Sequence, residues 1–246
     1  MPRFLVRAED VGPETLRLTG AEAAHVVRVL RLGPGARITA FDGVAHEYDA
    51  VVSQVGGDGV ECRILHQHQV PASPTVRIVL GQGLPKARKL EGVIQKTVEL
   101  GVAEIVPLRT VRAVPQLSGS ATATRHARWE KIAREACKQS GHPRLPRIWP
   151  VTDLEDFFAA FQAAPLKLSL WEGERTQRLR QVLQAQAQVA SVVVVVGPEG
   201  GLDPEEIARG VSYGFLPVGL GERILRTETA GLVVVSLLQY QFGDLG

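Results

Sequence analysis

The order of apolar and polar positions divides the chain in two. Up to about residue 70 the apolar residues come in short alternating runs, "ARITAFDG", "EYDAVVSQV" and "GVECRIL", separated by glycine-containing turns. That is the pattern of short, half-buried strands. One helical stretch interrupts them: "AEAAHVVRVLRL", with Thr19 as N-cap and Glu22 completing a capping box, ending before Gly33-Pro34-Gly35. Several short strands and one helix predict a small β-barrel over residues 1–70. The polar, proline-bearing stretch "HQHQVPASPT" (66–75) marks a domain boundary.

From residue 75 the period changes. The runs "VRIVL" (76–80), "EIVPL" (104–108), "LKLSL" (166–170), "VVVVV" (192–196) and "LPVGL" (216–220) are almost continuously apolar. Helical stretches alternate with them. Leu90, Val93, Ile94, Thr97 and Val98 form one stripe, and Trp129, Ile132, Ala133, Ala136 and Cys137 form another. "DLEDFFAAFQ" and "QRLRQVLQAQAQVA" read as further helices. Such alternation predicts an α/β domain over 75–246, with a parallel sheet covered on both faces and ligands at the carboxyl ends of its strands. The last helix, within "RTETAGLVVVSLLQY", is apolar almost all round. It demands burial on every side, in the core or against a second subunit.

Composition narrows the class. Hydrophobic residues at 45% and charged residues at 22% describe an ordinary globular chain. No stretch reaches transmembrane length, and "MPRFLVRAED" lacks the apolar run of a signal peptide. Cys62 and Cys137 are far apart and fit no metal-ligand spacing, and His66 and His68 have no third ligand at a sensible spacing. The expectation is a reduced, cytoplasmic protein with no metal and no membrane contact. Net charge is only +2, but seven basic residues against two acids between Arg125 and Arg147 give that segment +5. A surface for an anionic polymer and a solvated helix face both fit this run.

The chemistry concentrates at two strand ends. Gly197-Pro198-Glu199-Gly200-Gly201 follows the most apolar strand and leads into a helix opened by Asp203, Pro204, Glu205 and Glu206. Asp203 as N-cap, Pro204 at the first helical position and Glu206 three residues on make a capping box. The outline is that of a phosphate loop, yet no Walker or dinucleotide pattern is present. A phosphate there would meet acids at about 4 Å and be repelled by several kcal/mol at an effective dielectric of about 20. The loop therefore favours a neutral or cationic ligand, or is simply a tight turn into a well-capped helix. The second stretch, "VGLGERILRTETA" (218–230), sets Arg223 and Arg226 where strand ends converge. There they hold a phosphate, polarise a carbonyl, or form an ordinary loop ion pair. "LSLWEGE" (168–174) is a third strand end, weak alone.

Together "GPEGGLDPEEI", "LGERILRTETA", "KARKLEGVIQKTVELGV", "RWEKIAREACKQSGHPRLPRI" and "HVVRVLRL" resemble the RsmE family of bacterial 16S rRNA (uracil-N3) methyltransferases, in the SPOUT superfamily. The resemblance runs through essentially the whole chain in the right order. It implies an N-terminal PUA-like RNA-binding barrel, a C-terminal methyltransferase domain with a trefoil knot, and a homodimer. It also implies S-adenosylmethionine as cofactor and uridine 1498 of the small-subunit rRNA (bacterial rRNA numbering) as target. Carried over residue by residue, Gly197, Gly200 and Gly201 form one wall of the cofactor pocket. Leu220, Gly221, Ile224 and Leu225 form a second, and Leu170 and Glu172 a third. Glu199 and Glu228 are candidate bases for the uracil N3 proton, and Arg226 a candidate for stabilising charge on the uracil carbonyls. RNA phosphates are expected on Arg3, Arg28, Arg31, Lys86, Arg88 and Lys89, and on Arg125, Arg128, Lys131, Arg134 and Lys138. Two alternatives remain: a SPOUT methyltransferase acting on another rRNA or tRNA site, and a non-catalytic RNA-binding assembly protein.

Overall fold

In a computed structural model, which describes residues 1–70, 75–113 and 120–245, the chain forms two compact units. Residues 71–74, part of the expected linker, lie outside the described residues. One unit comprises Met1–Ala72 with Cys137–Leu145, and the other Ser73–Ala136 with Pro146–Gly246.

The first unit holds strands β1 (Arg3–Leu5), β2 (Thr15–Leu18), β3 (Arg37–Phe41), β4 (His46–Gly56) and β5 (Gly59–Gln69). They form one sheet in the order β1-β3-β4-β5-β2, parallel only between β1 and β3. Alternation decides which side chains enter the core: Ile38 and Ala40 on β3, Ala50 and Val52 on β4, Val60 and Cys62 on β5 are all buried. His66 and His68 stand side by side on β5, with His68 facing Asp49 at 3.0 Å. Between β2 and β3 lies α1 (Gly20–Ala24), continued by a π-helical turn over His25–Val29. The Thr19–Glu22 capping box does not form. Lys138 takes the Glu22 carboxylate at 3.1 Å, and Thr19 accepts from Arg7 at 3.5 Å.

The second unit is built on seven parallel strands: β6 (Arg77–Gly83), β7 (Glu104–Arg109), β8 (Arg147–Ile148), β9 (Thr152–Asp153), β10 (Leu166–Leu170), β11 (Ser191–Val196) and β12 (Leu216–Val218). Their order is β12-β10-β11-β6-β7-β8, with β9 also on β7. The helices are α2 (Lys89–Glu99), α3 (Ser120–Ser140), α4 (Leu154–Ala160), α5 (Leu179–Gln184), α6 (Pro204–Ser212) and α7 (Thr227–Phe242). The periodic reading found each of them. It overextended α5, which ends at Gln184: beyond Leu183 the alanine-glutamine tail brings no large apolar side chain at the next turn to anchor it. Val192–Val196 are all buried, as a central parallel strand requires. On one face Phe157, Phe158, Phe161 and Phe215 form an aromatic cluster under β7 and β11.

On the other face α2 and α7 lie side by side. Lys89 at the start of α2 is 3.4 Å from Glu228 at the start of α7. At the far end, Gln239 Nε2 donates to the carbonyls of Leu100 (2.9 Å) and Gly101 (3.2 Å), which end α2. The helices therefore run parallel. Within one chain α7 buries only part of its surface: Val234, Val235, Leu238 and Phe242 enter the core, while Leu237 and Tyr240 are 40% and 70% exposed.

Candidate active site

Register brings four strand ends to one level. Val196 of β11 lies opposite Gln82 of β6 and Leu170 of β10, and Leu170 lies opposite Val218 of β12. The loops that leave β10, β11 and β12 therefore emerge together. They enclose a cavity of about 710 Å³, the size of a small-molecule site.

The loops after β10 and β12 are fixed to each other by main chain. Gly219 N–H donates to Gln177 O (3.0 Å), Leu179 N–H to Gly219 O (3.0 Å), and Trp171 N–H to Val218 O (3.1 Å). A Cβ on Gly219 would stand 2.6 Å from Glu174 O, so only glycine allows this approach. Gly201 has φ +70° and lies against the Glu172 carboxylate. The expected helix start at α6 is present: Glu205 N–H donates to Asp203 Oδ1 (3.0 Å) and Asp203 N–H to Glu206 Oε2 (2.8 Å). The helix N-terminus is thus satisfied from within and not offered to a ligand.

Beneath the cavity floor is a buried polar relay. Thr227 donates to Gly197 O (2.5 Å) and accepts from Gln82 Nε2 (2.8 Å). It joins the starts of two walls, the turn at Gly197 and the helix at Thr227. Sequence reading missed Gln82, whose buried polar side chain in an apolar strand was the available signal. It also missed Arg112, which donates to Gly200 O and to Asp203 Oδ2, both at 3.0 Å, and so braces the glycine turn from outside.

Most of the residues assigned to the cofactor line the cavity: Leu170, Glu172, Gly197, Gly201, Leu220, Gly221, Ile224 and Leu225, together with Glu199 and Arg226. Gly200 does not line it, and its carbonyl faces Arg112. Glu228 stands outside the lining, reached through Lys89. Ile224 is 85% exposed at the rim. Arg175, Arg178 and Arg223 also line the cavity, so acids are not its only charges.

Lys89, expected on RNA, sits instead in the cavity wall, 2.9 Å from Glu199 Oε1 and 3.4 Å from Glu228 Oε2. Burial pushes the Glu199 carboxyl up. Hydrogen bonds from Lys89, from its own N–H and from Lys86 N–H (3.1 and 3.2 Å to its two oxygens) outweigh this and hold it below the usual value.

Other expected RNA contacts are engaged within the chain. Arg3 pairs with Glu47 and lies over Phe41, Lys138 pairs with Glu22, and Arg128 pairs with Glu91 (2.8 Å). Arg134 is half-buried. Arg28, Arg31, Lys86, Arg88, Arg125 and Lys131 are exposed.

The RNA methyltransferase domain family matches residues 71–239, and the RNA methyltransferase PUA domain family matches residues 18–65. The ribosomal RNA small subunit methyltransferase E of Bacillus subtilis (strain 168) is 31% identical over 231 residues, covering 92% of this chain and 90% of its own. The chain belongs to the RsmE family of RNA methyltransferases. A crystal structure of the Neisseria gonorrhoeae ribosomal RNA small subunit methyltransferase E, bound to S-adenosyl methionine, is similar over 100% of both chains, with 32% identity and a TM-score of 0.87. A Legionella pneumophila protein solved in complex with SAM is 33% identical, with a TM-score of 0.90 over 100% of this chain and 99% of its own. Among RsmE relatives the chain is therefore matched nearly end to end, with a PUA domain ahead of the α/β sheet.

Proposed function

We propose that the protein binds S-adenosylmethionine in the cavity at the ends of β10, β11 and β12 and methylates N3 of a uridine in small-subunit rRNA, position 1498 in bacterial numbering, in the cytoplasm. The observation that carries this reading is the cavity itself. The loops after β10 and β12, tied together by main-chain hydrogen bonds, and the glycine turn after β11, held by the Thr227 hydroxyl, enclose a space of about 710 Å³, beside a helix whose N-terminus is already capped by acids. The helix start is satisfied by its own acids, and the cavity lining carries charges of both signs, Glu172, Glu174, Glu199 and Glu222 with Lys89, Arg175, Arg178, Arg223 and Arg226. Gly197, Gly201 and Gly221 present backbone to the ligand, and Glu172 and Glu199 supply negative charge near it.

When bound, the cofactor supplies an activated methyl group. The chain's own work is placement and charge. Holding cofactor and base in line accounts for most of the acceleration. Arg226, exposed at the rim, stabilises negative charge on the uracil carbonyls as N3 loses its proton. Glu199, which lines the cavity, and Glu228, reached through Lys89, are the candidate carboxylates for that proton. Glu199 is held by Lys86 and Lys89, and Glu228 by Lys89 at 3.4 Å.

The target base must leave its stack to enter the cavity. Arg28, Arg31, Lys86, Arg88, Arg125 and Lys131 take the flanking phosphates in this reading. The 1–70 PUA-like barrel, the 75–246 SPOUT domain with its trefoil knot, and a homodimer complete the proposal. The uncovered Leu237 and Tyr240 of α7 support the dimer.

Mapping methylated nucleotides in 16S rRNA from a deletion strain tests the target. Loss of the mark at that uridine alone, restored by this chain, is expected. An intact mark there, with a mark lost elsewhere in rRNA or tRNA, shifts the substrate. An unchanged pattern throughout favours an assembly protein. Thermal shift with SAM, NAD and ATP separates ligand classes, and only SAM is expected to stabilise.

A further inference from the structure

One ammonium in the cavity wall faces two carboxylates from distant parts of the chain. Lys89 Nζ is 2.9 Å from Glu199 Oε1, in the glycine turn, and 3.4 Å from Glu228 Oε2, on α7. The loop that delivers it is constrained. Lys86 N–H donates to both oxygens of Glu199, and the next residue, Ala87, has φ +56°. A non-glycine residue in that region costs energy and persists only where the surroundings impose it. Here the imposing contact is the one that places Lys89 between the acids.

We propose that Lys89 is a positioning residue for the methyl-transfer reaction. It holds Glu199, in the wall of the cofactor cavity, and Glu228 together, and it does not contact RNA phosphate. This deepens the methyltransferase reading and rests on it. The other charged groups nearby are committed or directed elsewhere. Arg112 is bound to Gly200 O and Asp203, Asp203 and Glu206 cap α6, and Arg223 and Arg226 line the rim of the cavity. Arg88 is exposed on the loop itself, and Glu91, one turn into α2, is paired with Arg128. Among the described residues, Lys89 is the cation that forms ion pairs with both acids.

Without it the two carboxylates are left as like charges sharing a site, which raises the pKa of one of them. Fewer molecules then carry the ionised base at a given pH, so the acid limb of the activity profile moves up.

The test compares Lys89→Met, Lys89→Gln and Lys89→Arg with wild type in three measurements. The first is kcat/KM against pH for methylation of small-subunit rRNA. The second is 13C titration of the Glu199 and Glu228 carboxyls. The third is the salt slope of RNA binding. The Met and Gln variants are expected to move the acid limb and one carboxyl titration upward by about one pH unit. Arg should restore both, and the salt slope should not change.

A slope reduced by about one ion, with the limb unmoved, makes Lys89 a phosphate contact and overturns the proposal. So does a carboxyl titration that stays in place. The titration needs no turnover. If the wild-type chain transfers no methyl group to rRNA, the methyltransferase reading fails, while the carboxyl titration still decides whether Lys89 holds the pair.

Discussion

The relay Gln82–Thr227–Gly197 offers the sharpest test of how the cavity is held. Gln82 is fully buried and Thr227 is 5% exposed. Thr227→Val keeps the shape and removes one hydroxyl. That hydroxyl donates to Gly197 O at 2.5 Å and accepts from Gln82 at 2.8 Å. The amide then retains only the carbonyls of Gly83 at 3.2 Å and Gly197 at 3.5 Å. Two hydrogen bonds at about 1 kcal/mol each, plus part of the penalty for a poorly satisfied buried carbonyl, give a loss of about 2–3 kcal/mol. For a chain of this size that lowers Tm by roughly 4–12 °C. Gln82→Met costs less, about 1–2 kcal/mol. It deletes the unpartnered Oε1 along with the amide, and Thr227 still serves Gly197. Urea unfolding of wild type, both single variants and the double variant closes a cycle. The expected coupling is about 0.5–1.5 kcal/mol, the double variant being less damaged than the sum of the singles. Calorimetric titration with SAM is expected to show several-fold weaker binding for Thr227→Val, because the starts of two cavity walls come loose. Additivity within about 0.3 kcal/mol, or a Thr227→Val protein that melts with wild type, refutes the relay.

Removing the N-cap by Asp203→Ala is expected to lower stability by about 1 kcal/mol in urea, leaving Arg112 bound to the glycine turn through Gly200 O alone. Burial pushes the Cys62 and Cys137 thiols up to about 12. Their contribution to stability is therefore complete below the ordinary thiol value and disappears as pH rises through the folded-state value. Denaturation midpoints should fall between about pH 9 and 12, and neither thiol should react with iodoacetamide at pH 8 until the chain unfolds. Leu237→Glu is expected to convert the proposed dimer to monomer in sedimentation equilibrium, and an unchanged mass would remove α7 from that interface.

Features written in contiguous residues were legible in the sequence. The cap at Asp203, Pro204 and Glu206 is local, and its geometry follows from the order of the residues. The buried strand Val192–Val196 announces itself by composition. Features made by distant partners were not legible. Arg112 braces a carbonyl 88 residues along the chain, and Lys86 binds a carboxylate 113 residues away. No periodicity carries such pairings. Where local and distant partners competed, the distant one won: Glu22 reads as the end of a capping box and is taken by Lys138. Charge runs hide such pairings: Arg3, Arg128 and Lys138 are paired with acids that lie elsewhere in the chain. Strands β1 and β2, of three and four residues, are too short to stand out, although β2 alternates exposed and buried positions.

The parallel run of α2 and α7 has a consequence for the acids near the cavity. Both helices begin beside Glu199 and Glu228 and both end near Gln239. Each helix start carries about half a positive charge from its aligned peptide groups. Together the two amount to about one unit charge that belongs to no side chain. Substitution at Lys89 subtracts a cation from this place, but the backbone's share stays as long as the two helices remain in register. The carboxylates therefore sit in a field with one editable source and one that only unfolding removes.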